Sequence, residues 1–281
     1  MMKLIADSGS TKTHWIVLEN GSKTNEFYSP GFNPYYYEKD AFKLSLEEVL
    51  RTNIGLKKIS EIFFYGSGIS SNENRSIVSN SLTSIFPEAK VSVYHDLHGA
   101  TIALLGKNRG IACILGTGSN SCLWDGEKIV ANVPSLGFLL GDEGSGTYLG
   151  KLLVRDILIG DADPEIAELF YATNKLTFST TLDRIYKEDH PNRFFSEQSK
   201  FIRGLTDNPY CRNLIIRNFE DFINVQVSKY EGYDKLPVSF TGSVAANFKD
   251  ILVEVLENHH IRLGNIMKEP IEGIVRYHLG S

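Results

Sequence analysis

The stretch Ile5–Trp15, IADSGSTKTHW, and the stretch Ile114–Trp124, ILGTGSNSCLW, are one short pattern written twice. In each, an apolar run enters a knot of glycine and small hydroxyl residues, and a second run ends in tryptophan. A turn and a lysine follow both: ENGSK at Glu19–Lys23 and DGEK at Asp125–Lys128. Two apolar runs around a small-residue turn read as paired antiparallel strands. A chain that builds this unit twice is constrained to two related domains, each begun by the same hairpin.

The segments after each hairpin extend that reading. KLIADS, HWIVLE and TNEFYS form an antiparallel meander, and Asn33-Pro34 in GFNPYYY marks a loop. DAFKLSLEEVLRTN carries Phe42, Leu46, Val49 and Leu50 at helical spacing, with Asp40 as its N-cap. EIFFYGSG predicts a buried strand, NRSIVSNSLTSIF a helix, KVSVYHD a fifth strand and LHGATIALLG the helix leaving it. Strand–helix–strand after a meander means a mixed sheet with parallel crossovers. Near Gly106–Gly110 the pattern restarts with GIACILG, SCLWDG and EKIVANV, and GFLLGDEGSGTYLGKLLVRDIL runs from loop into helix. The expected architecture is α/β, with two related mixed-sheet domains around a central cleft. The first spans residues 1–105 and the second 106–267 with a helical insertion at about 164–231; a closing helix at about 268–281 returns to the first. The two Gly-Ser turns are expected to face each other.

Composition excludes several classes. With 281 residues the chain can bury a sizeable core in either domain. A net charge of −5 gives no nucleic-acid footprint, so a polyanionic ligand must be held by local amides, a metal ion or a few lysines. No apolar run spans a bilayer and the start lacks a signal-peptide pattern, so a cytoplasmic protein without a membrane partner is expected. Cys113, Cys122 and Cys211 are odd in number and show no C-x-x-C spacing, which argues against disulfides and a structural zinc.

A tight turn at Gly9 or Gly118 converges several backbone amides on one point, and such concavities bind anions. Ser10, Thr11, Thr13, Thr117 and Ser119 add hydroxyls, Lys12 adds a positive charge, and Asp7 is placed to hold Mg²⁺ through water. Two such clamps suit a nucleotide triphosphate tail. One Gly-Ser turn alone is as readily a plain hairpin, but a pair in matching context favours the anion reading. The G-x-x-x-x-G-K-[ST] motif is absent, and no G-x-G-x-x-G opens a helix after the first strand.

With DSGSTKT and LGTGSNS as phosphate clamps, and FTGSVAANF at Phe240–Phe248 as a glycine turn for adenosine, the chain resembles the sugar-kinase, Hsp70 and actin group of two-domain ATPases. The likeness runs in order over nearly the whole chain. Within the group it is most similar to the BadF/BadG/BcrA/BcrD ATPase and N-acetylglucosamine kinase family. GFNP, HDLHGATIALLG and GFLLGDEGS carry that likeness. The resemblance implies ribonuclease H-like (actin-like ATPase) domains, ATP with Mg²⁺, and an amino-sugar substrate such as N-acetylglucosamine or N-acetylmuramic acid. It implies nucleotide contacts from Asp7, Gly9, Ser10, Thr11, Lys12, Thr13, Gly116, Thr117, Gly118, Ser119, Gly242 and Ser243. Asn33, Ser67, Asn120 and Asp142 would line the sugar pocket, and relatives are commonly homodimers. Dehydratase activators of the same family hold an iron–sulfur cluster on two cysteines in a glycine-rich context; Cys211 stands alone in NPYCRN, against that alternative. A non-catalytic nucleotide- or sugar-binding regulator is the other alternative, and no helix-turn-helix extension is expected here.

Asp96 follows an apolar strand and leads a helix, where α/β sheets place ligand groups. It can take the proton of an attacking sugar hydroxyl, or cap the helix, or do both. The family pattern favours the base. His95 and His98 beside it lack a third metal ligand. Asp142 and Glu143 could suggest glycoside hydrolysis, but on a glycine-rich loop they more simply accept hydrogen bonds from a sugar. Tyr35, Tyr36 and Tyr37 can stack on a sugar or pack as core and surface, and Arg193, Lys200 and Arg203 read as a solvated face.

Overall fold

A computed structural model describes residues 1–9, 12–34, 39–55 and 58–280. The chain divides into two compact units, Met1–Gly106 with Pro270–Ser281, and Lys107–Glu269.

The first unit begins with β1 (Met2–Ser8), β2 (Lys12–Glu19) and β3 (Ser22–Pro30). Asn20 (φ 51°) and Gly21 (φ 82°) form the two-residue turn between β2 and β3. Both central residues have positive φ, the twist that matches paired strands and the reason Asn-Gly serves there. Helix α1 (Lys39–Ile54) crosses to β4 (Glu61–Gly66), α2 (Asn72–Ile85) crosses to β5 (Lys90–His95), and α3 (Asp96–Leu105) leaves it. The sheet order is β3-β2-β1-β4-β5, with β4 and β5 parallel to β1. Asp40, expected to cap α1, lies within its first turn, where an acidic side chain still suits the helix dipole.

One core fills one face of this sheet. Trp15 is fully buried among the rings of Phe27, Phe32 and Phe64 and donates its indole N–H to Ser29 Oγ at 2.9 Å. Truncating such a side chain costs about 3–5 kcal/mol.

The second unit repeats the plan with β6 (Gly110–Leu115), β7 (Ser119–Trp124) and β8 (Ile129–Ala131). Its long crossover holds α4 (Gly137–Leu140), α5 (Gly146–Ile159), α6 (Pro164–Asn174), α7 (Phe178–Tyr186), α8 (Pro191–Arg203) and α9 (Pro209–Val225). Proline opens α6, α8 and α9 at a position that lacks a helical N–H partner anyway. The chain then forms β9 (Val238–Thr241), α10 (Ser243–Asn247), α11 (Lys249–Asn258) and β10 (Leu263–Met267). The order is β10-β9-β6-β7-β8. Counted from each unit's first strand, the two sheets share one order, and each pairs a meander with two parallel strands. Strand β10 is not apparent in the sequence; its five residues include Gly264 and two exposed positions.

The last helix, α12 (Ile271–Leu279), packs on α3 within the first unit, so closely that a Cβ on Gly273 would meet Ala103 Cβ at 2.7 Å. Tyr65 Oη lies 2.8 Å from His278 Nε2, and the Phe63 ring lies against the same imidazole, tilted by 35° with centroids 3.9 Å apart. Cys113, Cys122 and Cys211 are buried free thiols.

Candidate functional site

In the first unit the parallel strands end in register. Ser8 pairs with Gly66 and Gly66 with His95, so Gly9, Ser67 and Asp96 form the next row, at the carboxyl ends of β1, β4 and β5. Ser8 ties the neighbouring loops to this edge. Its hydroxyl lies 2.7 Å from Thr13 Oγ1 and accepts the Phe32 N–H at 3.0 Å, and its carbonyl accepts the Ser67 N–H at 2.8 Å. Buried Asn33 follows Phe32 directly, so Asn33 and Ser67 both sit beside the first turn.

The turn is closed by Gly9 N–H donating to the Lys12 carbonyl at 3.0 Å. Ser10, Thr11 and the Tyr35–Tyr37 run lie outside the described residues. Thr13 is fully buried, with Oγ1 between Ser8 Oγ and the Pro30 carbonyl at 3.2 Å, so its hydroxyl fastens the turn. Lys12 Nζ lies 4.7 Å from the centre of the Tyr28 ring, which stacks on His14. Asp7 sits on β1 opposite His14, one residue before the row's Ser8. A single carboxylate beside an amide-lined turn fits Mg²⁺, which keeps most of its waters and is shared with phosphate oxygens. Among the described residues no cluster of three or more His, Cys, Asp or Glu could hold a metal directly.

Asp96 is the first residue of α3, and the cap is His95, held at the strand end with φ −65° and ψ 148°. Of the two roles open to Asp96, the cap falls instead to His95: its pairing with Gly66 keeps residue 95 extended and places residue 96 inside the helix. Asp96 Oδ1 accepts the Leu97 N–H at 2.7 Å, and His95 Nδ1 lies 2.7 Å from the same oxygen. Burial lowers the proton affinity of His95, but the hydrogen bond and charge of Asp96 outweigh it and the net shift is upward.

In the second unit, three segments meet at the corresponding edge. The turn after β6 is closed by Gly116 N–H to the Gly118 carbonyl at 3.0 Å. Its outward carbonyls are taken by the start of α5: Gly146 N–H donates to Gly116 O at 2.8 Å, and Thr147 Oγ1 to Thr117 O at 2.6 Å. Gly116 and Thr117 are thereby fixed with these acceptors turned toward the helix.

Asp142 is buried and adopts φ 64°, rare for a residue with a side chain. Its Oδ1 accepts the Ser119 N–H at 3.3 Å and the Ser135 hydroxyl at 3.2 Å. Burial raises its carboxyl pKa, against the lowering effects of those two bonds and of Lys151. Asn120 Oδ1 accepts from Ser121 N–H at 2.9 Å and from Asn132 Nδ2 at 3.1 Å, which leaves its own amino group as the donor for a ligand. Gly242 N–H donates to the Met267 carbonyl at 3.1 Å, and the residue packs on the backbone of Leu115 and Gly116; Ser243 then opens α10.

Each unit thus brings its own residues together: Gly9, Asn33, Ser67 and Asp96 in the first, Gly116–Ser119, Asn120, Asp142 and Gly242 in the second. Converging amides and glycine turns suit phosphates, while carboxylates and carboxamides suit hydroxyl groups. Ser135, Asn132 and Lys151 were not singled out from the sequence. Lys151 alone left a signal there: a lysine between Gly150 and Leu152 in a largely apolar helix.

No protein-family profile matches the chain. The crystal structure of a Porphyromonas gingivalis protein described as an N-acetylglucosamine kinase superposes with a TM-score of 0.94, at 37% identity over 99% of both chains. A Chromobacterium violaceum structure of the same description shares the fold, with a TM-score of 0.74 and 18% identity over 98% of both chains. Among curated proteins, the N-acetylmuramic acid/N-acetylglucosamine kinase of Clostridium acetobutylicum is 29% identical over 158 residues, 54% of this chain and 52% of that one. The chain spans about half the length of the curated relatives it matches.

Proposed function

The chain belongs to the N-acetylglucosamine kinase branch of the BadF/BadG/BcrA/BcrD ATPases, and from that membership we propose that it is an ATP-dependent amino-sugar kinase. The observation that carries the reading is the meeting of three segments in the second unit. The Gly116–Ser119 turn, the Asp142–Thr147 segment and the Gly242 turn touch through backbone atoms, so a phosphate-binding turn, a sugar-binding carboxylate and an adenosine turn form one block.

The roles are those that the family likeness implies, and the chemistry of each group suits them. The turn of Gly9, Ser10, Thr11 and Lys12, which the buried Thr13 hydroxyl fastens from inside in place of the phosphate contact expected of it, and the turn Gly116 to Ser119 hold the triphosphate, and Gly242 and Ser243 receive adenosine. Asn33, Ser67, Asn120 and Asp142 bind sugar hydroxyls and the N-acetyl group, Asn120 as donor and Asp142 as acceptor. Asp96 takes the proton of the attacking hydroxyl through the carboxylate oxygen not bound to Leu97 N–H. Asp7 holds Mg²⁺ through water, and the ion offsets the charge of the phosphates.

The buried thiols favour a kinase over a dehydratase activator, since no cysteine is exposed to share a cluster with a second subunit. Among the described residues no helix is long and apolar enough to cross a membrane. A cytoplasmic homodimer is part of the proposal, open to sedimentation analysis.

The deciding experiment is ADP release with Mg-ATP over a panel of N-acetylglucosamine, N-acetylmuramic acid, N-acetylmannosamine and glucose. Turnover of an N-acetylated sugar well above glucose supports the reading. Sugar-independent ATP hydrolysis, or none, overturns it.

A further inference from the structure

We propose that Lys151 is a positioning residue for sugar binding: its ammonium grips the carbonyls of Phe138 and Gly141 and so fixes the backbone that carries the Asp142 carboxylate. The inference rests on the reading that Asp142 contacts the sugar.

The segment that Lys151 holds has little else to hold it. It opens at Gly137 (φ 72°) and closes at Asp142 (φ 64°), a left-handed conformation that few residues other than glycine, asparagine and aspartate adopt. Its apolar side chains anchor it only in part: Phe138 is half-buried, while Leu139 and Leu140 are 78% and 77% exposed and Leu136 just before them is 61% exposed. A stretch with few buried apolar contacts opens locally unless polar ties close it. Among the described residues its polar ties are Gly141 N–H to Gly137 O at 2.8 Å, Ser145 N–H to Asp142 O at 3.0 Å, the Ser119 N–H and Ser135 hydroxyl to Asp142 Oδ1, and the two bonds from Lys151, which alone hold the carbonyls of residues 138 and 141 from outside the segment. Lys151 Nζ bonds the Phe138 carbonyl and lies 3.4 Å from the Gly141 carbonyl. The peptide bond of that second carbonyl leads directly into Asp142.

Lys151 itself is well anchored. It stands on α5, whose first turn is bonded to the Gly116–Thr117 carbonyls, and its Nζ lies 5.2 Å from the centre of the Tyr148 ring. Tyr148 in turn donates its hydroxyl to Asp221 at 2.8 Å. A long cation on a fixed helix, reaching two carbonyls of an otherwise weakly packed segment, acts as a clamp with its charge beside Asp142 and Glu143. The same charge steadies Asp142 as a carboxylate against the burial that favours its neutral form.

The test compares wild type with Lys151→Met, which keeps the stem and removes charge and donors, and Lys151→Arg, which restores both. Hydrogen exchange is followed over the amides of residues 138–143, and KM and kcat are measured for N-acetylglucosamine and ATP. Expected for Lys151→Met are exchange faster by roughly tenfold, a sugar KM raised roughly tenfold, kcat within about twofold and an unchanged ATP KM. Lys151→Arg should recover most of both effects. Unchanged exchange in Lys151→Met overturns the proposal whatever the kinetics. Faster exchange with a wild-type sugar KM overturns the link to sugar binding. A wild-type protein that turns over no amino sugar defeats the kinase reading instead, and the exchange measurement still decides whether Lys151 holds the segment.

Discussion

A Cβ built on Gly242 would stand 2.3 Å from the carbonyl oxygen of Leu115 and 3.1 Å from the Gly116 nitrogen, so the two glycine turns of the second unit are in backbone contact. The family likeness makes Gly242 part of a glycine turn for adenosine, where a side chain would take the nucleotide's space. In the structure the nearest claimant is the chain itself, and φ 116° adds a second reason. Gly242→Ala is therefore expected to lower thermal stability and ATP affinity together, each by about 1–3 kcal/mol. Calorimetry of ATP binding beside a thermal melt checks this; lost ATP affinity at full stability would mean that the space belongs to the nucleotide.

Asp96→Asn should lower the phosphorylation rate about 10²–10⁴-fold while sugar and ATP affinities stay near wild type. Asn can still accept the Leu97 N–H, so helix α3 should survive. Single-turnover rates with sugar affinity and melting temperature measured alongside make the check. A variant with the wild-type rate would reduce Asp96 to a helix residue.

Asn120→Asp replaces the amino group left for a ligand by a second acceptor, while its inner oxygen can keep the bonds from Ser121 and Asn132. The expected result is a sugar KM raised about tenfold to a hundredfold, with ATP KM unchanged. Asn132→Ala, which loosens Asn120 without changing its chemistry, should have the smaller effect. Equal effects of the two substitutions would contradict the donor assignment.

Acid should loosen the C-terminal helix. Burial is the main reason that the His278 pKa falls from 6.5 to about 4, with the charges of Lys3 and His98 also lowering it and Glu61 raising it. A depressed histidine pKa means that the fold prefers the neutral ring. Its contribution is therefore present above the unfolded value of 6.5 and is lost as pH falls from there toward about 4. Amides of α12 should exchange faster at pH 5 than at pH 7 after correction for intrinsic rates, and His278→Gln should flatten that dependence. Equal pH dependence in wild type and variant would assign the effect to another group.

The doubled sheet was legible because a hairpin leaves a strong local trace: two apolar runs around a small-residue turn, then Asn-Gly or Asp-Gly before the third strand. Strand β10 was not, because LGNIM pairs along one side only, with β9, and exposes Gly264 and Asn265. The cap of α3 is hidden in the sequence for a related reason. Residue preference alone favours Asp96, and only the pairing of His95 with Gly66 moves the boundary by one. In the candidate site, residues whose side chains face a turn could be named from the turn. Lys151 and Asn132 act on carbonyl or carboxamide oxygens ten or more residues away, and no local pattern records such a reach.

The course of the chain through its two units has a consequence for synthesis. The second unit is one unbroken stretch, Lys107–Glu269, whereas the first is built from both ends, and α12 reaches α3 across all the intervening sequence. A ribosome working from the N-terminus releases every strand of the second unit before it has made the helix that covers Ala103. The nascent first unit therefore waits with the α3 surface uncovered, exposed to chaperones or to the wrong partner, until residues 270–281 emerge.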